Sequence, residues 1–367
     1  MSKVAIVRCE DYDPDLVYIA VKRSVDYIGG MASFVKPGAK VLIKPNILSA
    51  RPPEEAVDTH PEVVRALIRI VKDVGGTVIV GDSPGGFPKN IDHIYEVSGM
   101  RQVCQDEGVE LVKFTTSKFV EGVPICRYVY DVDCFISVPK FKTHSVTMIT
   151  GALKNTYGTV VGLYKAERHS AAPRDREFAK VIAKVHMLAK PHLTVMDAIV
   201  AMEGDGPSSG SPRPMHMVVA STDAVAVDSC MAYFIGLKPL DIRVTKEAYA
   251  LGLGEADLSH IEVYGDDVST FLIHDFKLPS TKFFNTLPKA VVNSVSMLIR
   301  FKPIIDEALC KRCNLCKTSC PVNAINIDQK ACEIDYQACV RCMCCHEVCP
   351  YKAITVKRNI LTKMIWG

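Results

Sequence analysis

The chain has 367 residues, 48% hydrophobic and 23% charged, with a formal net charge of +3. That length holds two or three domains at roughly 150 residues each, and the charge bias is too small to point to nucleic acid. No stretch approaches the ~20 consecutive apolar residues of a membrane span, and the first residues lack the apolar core of a signal peptide, so the expectation is a cytoplasmic protein without a transmembrane segment.

Through the N-terminal part, short β-branched runs alternate with helical patterns. Strands are expected at 3–8, 40–44, 77–81, 134–138, 193–196 and 215–220, and helices at 14–27, 61–74, 90–106, 177–188 and 224–235. Apolar strands separated by helices form βαβ units, which predicts an α/β fold with a largely parallel sheet and flanking helices. One unit is especially readable. Pro61 opens a helix, Val63, Val64, Leu67, Ile68 and Val71 recur at helical spacing, and Gly75-Gly76 closes it. The following strand delivers Gly81-Asp82-Ser83-Pro84-Gly85-Gly86 to its carboxyl end, where open α/β sheets bind ligands.

Other expected strand ends also carry polar loops: Lys44-Pro45-Asn46, Pro139 to Ser145, Asp197 with Glu203 to Pro207, and Ser221-Thr222-Asp223. Lys140, Lys142, His144, Lys154 and Asn155 lie close together in the chain, with Thr147, Thr150 and Thr156 among them. Ammonium groups neutralise a ligand's charge while hydroxyls and amides give directional hydrogen bonds, so this set suits a small anionic metabolite. Lys142, His144 and Asp82 are the catalytic candidates, His144 as a proton shuttle. Lys44, Asn46, Ser83, Lys140, Lys154 and Asn155 are the substrate-binding candidates.

The Gly81–Gly86 loop has no GK[ST] and no GxGxxG, so it is either a tight turn aiming Asp82 at the site or a nest of backbone amides for an anion. The acidic residues Asp82, Asp197, Glu203, Asp205, Asp223 and Asp228 can bind a divalent metal, transfer protons or pair with the lysines. His60, just before Pro61, either caps its helix or faces the cleft. Nothing in the sequence demands a flavin or a further metal, and nothing rules one out.

Residues 281–302 mix apolar positions with flanking cations, as in an amphipathic helix that packs one domain on another or lies at a membrane interface. Beyond them stand ten of the fifteen cysteines. Eight of these spell one motif twice: Cys310, Cys313, Cys316, Cys320-Pro321, and then Cys339, Cys342, Cys345, Cys349-Pro350, each position displaced by 29 residues. Ala324-Ile325 and Ala353-Ile354 extend the match, so the segment is an internal duplication. Paired zinc knuckles do not explain a three-plus-one pattern ending in Pro, and disulfides need an oxidising compartment.

Residues 305–357 resemble the bacterial two-cluster 4Fe-4S ferredoxins, a small α+β domain. In those proteins the fourth Cys of each motif ligates the other cluster. The resemblance therefore assigns Cys310, Cys313, Cys316 and Cys349 to cluster 1, and Cys339, Cys342, Cys345 and Cys320 to cluster 2. Cys332 and Cys344 are left over; Cys344, between two ligands, is either a non-ligand thiol packed near the cluster or a reserve thiolate. Upstream, the ordered set KPN, HPE, GDSPGG, VPKFKTHSVTMITGALKNTYG, DAIVAMEGDGPSSG and DAVAVD resembles the iron–sulfur-associated domain of unknown function 362, in which fusion to such a ferredoxin is common. The resulting division is an α/β domain at 1–265, a linker with its amphipathic helix at 266–304, the ferredoxin at 305–357 and a tail at 358–367.

These features predict an oxidoreductase that relays electrons between a soluble donor or acceptor protein and the α/β site. The alternatives are an electron carrier or accessory protein of cofactor or metallocentre assembly, and a non-redox enzyme with structural or sensory clusters.

Overall fold

A computed structural model describes residues 1–85, 91–162, 164–165, 168, 175–279, 302–328 and 331–357. The amphipathic helix expected over 281–302 lies outside the described residues except for Lys302, as does the tail from 358 onward.

The first part is α/β. Its strands are β1 (Ser2–Arg8), β2 (Lys40–Pro45), β3 (Thr77–Asp82), β4 (Glu110–Lys113), β5 (Ser117–Val120), β6 (Val123–Cys126), β7 (Cys134–Val138), β8 (Lys140–His144), β9 (Met148–Thr150), β10 (Leu193–Glu203), β11 (Ser211–Ser221) and β12 (Ile261–Gly265). The main sheet runs β12-β1-β11-β10-β7-β2-β3-β4, with β8 and β9 attached beside β10, while β5 and β6 form a separate hairpin. Neighbours pair in parallel except where β11 meets β1 and β10, and where β8 meets β9. The chain steps from β2 outward to β3 and β4, then returns to lay β7 on the other side of β2. That reversal opens a crevice at the carboxyl ends of β2 and β7, the place where such sheets hold ligands.

Both faces of the sheet are covered, which is why its strands read as continuous apolar runs. On one face the helices Pro14–Tyr27 and Pro61–Asp73 bury Val17, Val21, Val63, Leu67 and Val71. On the other, Asp175–Leu188, Ala224–Phe234 and Arg243–Ala250 bury Ile182, Val185, Val225, Met231 and Val244. Asp13 caps the first helix through its carboxylate and Asp223 caps the helix at Ala224, each accepting two backbone amides.

Three expectations need correction. The helix expected at 90–106 is two helices, Ile91–Val97 and Met100–Asp106, parted by Gly99 at φ 76, a left-handed angle that glycine adopts freely. The stretch 139–145 is not a loop: Lys140–His144 is strand β8, because Pro139 cannot donate to the ladder of β7 and the chain re-pairs with β10 and β9. Asp197 is internal to β10 rather than at its end, since β10 and β11 extend into a long antiparallel hairpin.

The C-terminal segment is small and irregular. Lys302–Ile305 pairs with Ile354–Lys357, Ile325–Ile327 pairs with Cys332–Ile334, and two short helices, Leu315–Thr318 and Cys344–Val348, follow the cysteine loops. The duplication is written in the backbone too. Arg312 and Arg341 (φ 52 and 56), Asn314 and Met343 (both 63), and Asn323 and Lys352 (51 and 52) are left-handed at equivalent positions of the two copies. Left-handed angles outside glycine are costly, so their recurrence in both halves marks a loop shape the cysteines impose.

Candidate functional site

Three of the four candidate lysines belong to three separate buried networks. At the end of β2, the Lys44 Nζ stands 2.7 Å from Asp82 Oδ1 and donates to Asn155 Oδ1 at 3.2 Å. Asp82 also accepts the amides of Ile47 and Ser83 at 2.7 Å each. Asn155 reaches back across the crevice to Ser137 of β7 at 2.9 Å, so one amide side chain ties β2 to β7. Gly158 makes the pair possible, because a Cβ there would lie 2.5 Å from Asp82 Oδ1 and 2.6 Å from Lys44 Nζ. Burial pushes the Lys44 pKa down while the neighbouring Asp82 carboxylate opposes it. Removing one partner of such a pair strands a buried charge and costs about 3–5 kcal/mol.

Lys140 is engaged elsewhere. Its Nζ lies 2.9 Å from Asp197 Oδ2 and 2.7 Å from the Tyr12 hydroxyl, which itself donates to Asp197 Oδ1 at 2.8 Å. His60 stacks on Tyr12 with centroids 3.6 Å apart, accepts the Glu62 amide as helix cap and donates its own amide to Asp197. Burial holds the His60 imidazole down at about 4. Lys142 donates to the Val57 carbonyl and faces Asp58. Burial drives both members of this pair toward neutrality, the lysine down and the carboxyl up.

His144 has an interdomain role. Its Nδ1 accepts the amides of Val146 and Thr147 at 3.0 and 3.3 Å, so the ring proton sits on Nε2, which stands 3.1 Å from Glu347 Oε1 of the C-terminal segment. Further contacts fasten the two parts: Arg51 donates to the Cys349 carbonyl at 2.8 Å, and Ser208 to the His346 carbonyl at 3.3 Å.

Between the parts lies a cavity of about 80 Å³ lined by Asn46, Asp82, Ser83, Thr150, Lys154, Asn155, Tyr157 and Lys165, together with Cys344 and Glu347. Of the sequence candidates, Asn46, Asp82, Ser83, Lys154 and Asn155 meet here. Lys44 stands directly behind Asp82, whereas Lys140, Lys142 and His144 do not line the cavity. Lys165, Tyr157, Cys344 and Glu347 are additions that sequence reasoning missed. Lys165 donates to the Ser83 carbonyl and hydroxyl and to the Pro84 carbonyl at 2.7–3.0 Å, and burial pushes it down to about 8. Its only sequence signal was a cation in the Tyr-rich stretch after Asn155.

The glycine loop is a turn rather than an anion nest over its described part. The Ser83 amide is spent on Asp82 Oδ1 and the Gly85 amide on the Leu48 carbonyl, 2.9 Å away. The acidic residues are likewise absorbed locally: Asp228 accepts the Ala152 and Leu153 amides, and Glu203 that of Lys277. Among the described residues, no three His, Cys, Asp or Glu side chains group closely enough to hold a single ion.

The cysteines form two separate sets. One cavity is lined by Cys310, Cys313, Cys316 and Cys349, and a second by Cys320, Cys339, Cys342 and Cys345 with Cys344. Each combines three thiols from one copy of the motif with the fourth from the other. Their neighbours are mainly apolar, including Ile305, Ile327 and Ile354 in the first and Val322, Ile325 and Val340 in the second. Four thiols around an apolar hollow fit a cubane cluster better than one tetrahedral ion, which needs all its ligands within about 2.3 Å of a point. Cys332 packs 3.6 Å from Cys310, sulfur to sulfur, and Cys344 stands in the wall between the second cysteine cavity and the α/β cavity.

The model of the Domain of unknown function (DUF362) matches residues 41–233, the span that builds the crevice. The chain belongs to the DUF362 family. A 4Fe-4S dicluster domain model matches residues 302–350 of this DUF362 protein, so its C-terminal segment is an iron–sulfur domain of the ferredoxin type. The thylakoid-associated protein sll1697 of Synechocystis sp. is 31% identical over 261 residues, 69% of this chain and 80% of that protein. The lactate racemase apoprotein of Thermoanaerobacterium thermosaccharolyticum superposes with a TM-score of 0.38 at 11% identity, over 61% of this chain and 55% of its own. Among the described residues of the DUF362 protein, no helix is long and apolar enough to cross a membrane.

Proposed function

We propose that this DUF362 protein is an iron–sulfur oxidoreductase acting on a small anionic metabolite in the cavity between its α/β domain and its ferredoxin segment. One observation carries the reading: Cys344 and Glu347, flanking the second set of cysteines, form part of the cavity wall. A redox centre at that set would sit beside the bound molecule. The ligand sets would be Cys310, Cys313, Cys316 and Cys349 for one cluster, and Cys339, Cys342, Cys345 and Cys320 for the other. When bound, the clusters supply one-electron transfer.

The chain's own residues do the rest. Lys154 neutralises the anion's charge. Lys165, whose ammonium donates to the Ser83 carbonyl and hydroxyl and the Pro84 carbonyl, holds that turn against the cavity. Asp82, Lys44 and Asn155 keep the floor rigid, and His144 with Arg51 holds the ferredoxin segment over it. The exposure of Cys313 supports exchange of electrons between the first cysteine set and a soluble donor or acceptor protein. Oxygen-labile clusters fit a reducing, cytoplasmic setting.

The test uses anaerobic full-length protein, chemically reduced, freed of reductant and mixed with the small-molecule fraction of an anaerobic cell extract. Recovery of the visible absorbance should outpace that in buffer, and Lys154→Met should lose the acceleration at unchanged iron content. Equal recovery in wild type and variant would mean that electrons leave without using the cavity, and would overturn the reading.

A further inference from the structure

The polar groups lining the cavity are not equally spent. Lys165 is saturated by three acceptors, Asp82 by Lys44 and two amides, and Asn155 by Lys44 and Ser137. Two buried groups have no hydrogen-bond partner among the described residues, the Thr150 hydroxyl and the Asn46 Oδ1, and beside them the Lys154 ammonium faces the Glu347 carboxylate. Thr150 is only 2% exposed to bulk solvent. A buried donor or acceptor left unmade costs about 1–3 kcal/mol, and a charge costs more. Their convergence on one hollow marks a place for a ligand that completes them.

The chemistry of that ligand follows from the set. One ammonium, which also faces the Glu347 carboxylate, and one hydroxyl make two donor groups with at most a single positive charge. A phosphate dianion asks for more, as a nest of amides or an arginine fork, and the loop amides of Ser83 and Gly85 are already committed. A carboxylate matches the charge and both donors. Asn46 Oδ1 is an acceptor and asks for an O–H or N–H on the same molecule. A hollow of about 80 Å³ takes roughly five to eight groups of water size.

We propose that Thr150, Lys154 and Asn46 form a subsite for a small carboxylate that carries a hydroxyl or amino group on the neighbouring carbon. Lys154 and Thr150 hold the carboxylate, and Asn46 accepts from the neighbouring donor. This assignment rests on the reading of the cavity as the substrate site, and names the class of substrate.

Calorimetric titration of the anaerobic full-length holoprotein tests it, with glycolate, acetate and inorganic phosphate as probes. Glycolate should bind saturably and at least five-fold tighter than acetate, which lacks the hydroxyl. Thr150→Val and Lys154→Met should each weaken glycolate at least ten-fold, with Lys154→Gln as a second variant should the first fail to fold. Asn46→Ala should reduce glycolate to the affinity of acetate. Preference for phosphate, absence of saturable glycolate binding, or unchanged binding in folded Thr150 and Lys154 variants would overturn the assignment. A parallel redox titration separates this from the oxidoreductase reading: glycolate that binds as described without lowering a cluster potential leaves the subsite standing and removes the electronic link.

Discussion

His144 of β8 and Glu347 of the ferredoxin segment meet across the domain boundary, with Nε2 3.1 Å from Oε1. The relationship joins the catalytic candidate His144 to the contacts that fasten the ferredoxin segment beside the cavity. Arg51, which donates to the Cys349 carbonyl at 2.8 Å and to Glu55 at 2.8 Å, is its companion.

Loosening these contacts should be measurable without any substrate. Arg51→Met leaves a buried carbonyl unpaired at a cost of about 1–3 kcal/mol, and Glu347→Leu should act in the same direction. Hydrogen exchange of the amides at 344–349 should accelerate about ten-fold or more in either variant, with the β2–β3 core unchanged. Unaltered exchange would show that these contacts do not hold the segment.

The iron content discriminates sharply. Two 4Fe-4S clusters require about eight irons per chain in anaerobically prepared protein. Cys349→Ser and Cys320→Ser should each lower the count toward about four, although the two residues lie in opposite copies from the sets they complete. A wild-type count near four would reject the two-cluster assignment.

His186 predicts an acid sensitivity in the α/β part. Neither ring nitrogen has a partner among the described residues, and burial pushes the imidazole down to about 3. The unfolded chain takes up this proton near pH 6.5 while the folded protein refuses it until about 3. The unfolded state therefore binds more protons in that window, and stability falls as pH drops through it, by at most about 1.4 kcal/mol per pH unit. His60, held at about 4, adds in the same direction. His186→Phe should flatten the dependence of the thermal midpoint between pH 6.5 and 5 and cost little at pH 8. An unchanged slope would mean the native ring is already protonated.

Much of the fold was legible. The helix at Pro61–Asp73 and strand β3 followed from apolar spacing, an opening proline and closing glycines. The twin cysteine motif carried the resemblance to the two-cluster ferredoxins, and a 4Fe-4S dicluster domain model matches there. The site was half legible: Asn46, Asp82, Ser83, Lys154 and Asn155 gather as expected, because each stands near the end of a recognisable element. Lys140, Lys142 and His144 stand apart from the cavity lining because Pro139 starts a new strand rather than a loop, which turns their side chains into buried networks.

The sequence by itself determined the local and periodic features: strands, helices, a duplicated loop and the thiols in it, each readable within a few residues of chain. Only the tertiary structure decided which lysines are spent and which cysteine faces the cavity. Those outcomes depend on partners such as Asn155 for Lys44 and Glu347 for His144, more than one hundred residues away. Packing sets such pairs, because a buried charge must find its counter-group wherever the folded chain brings one.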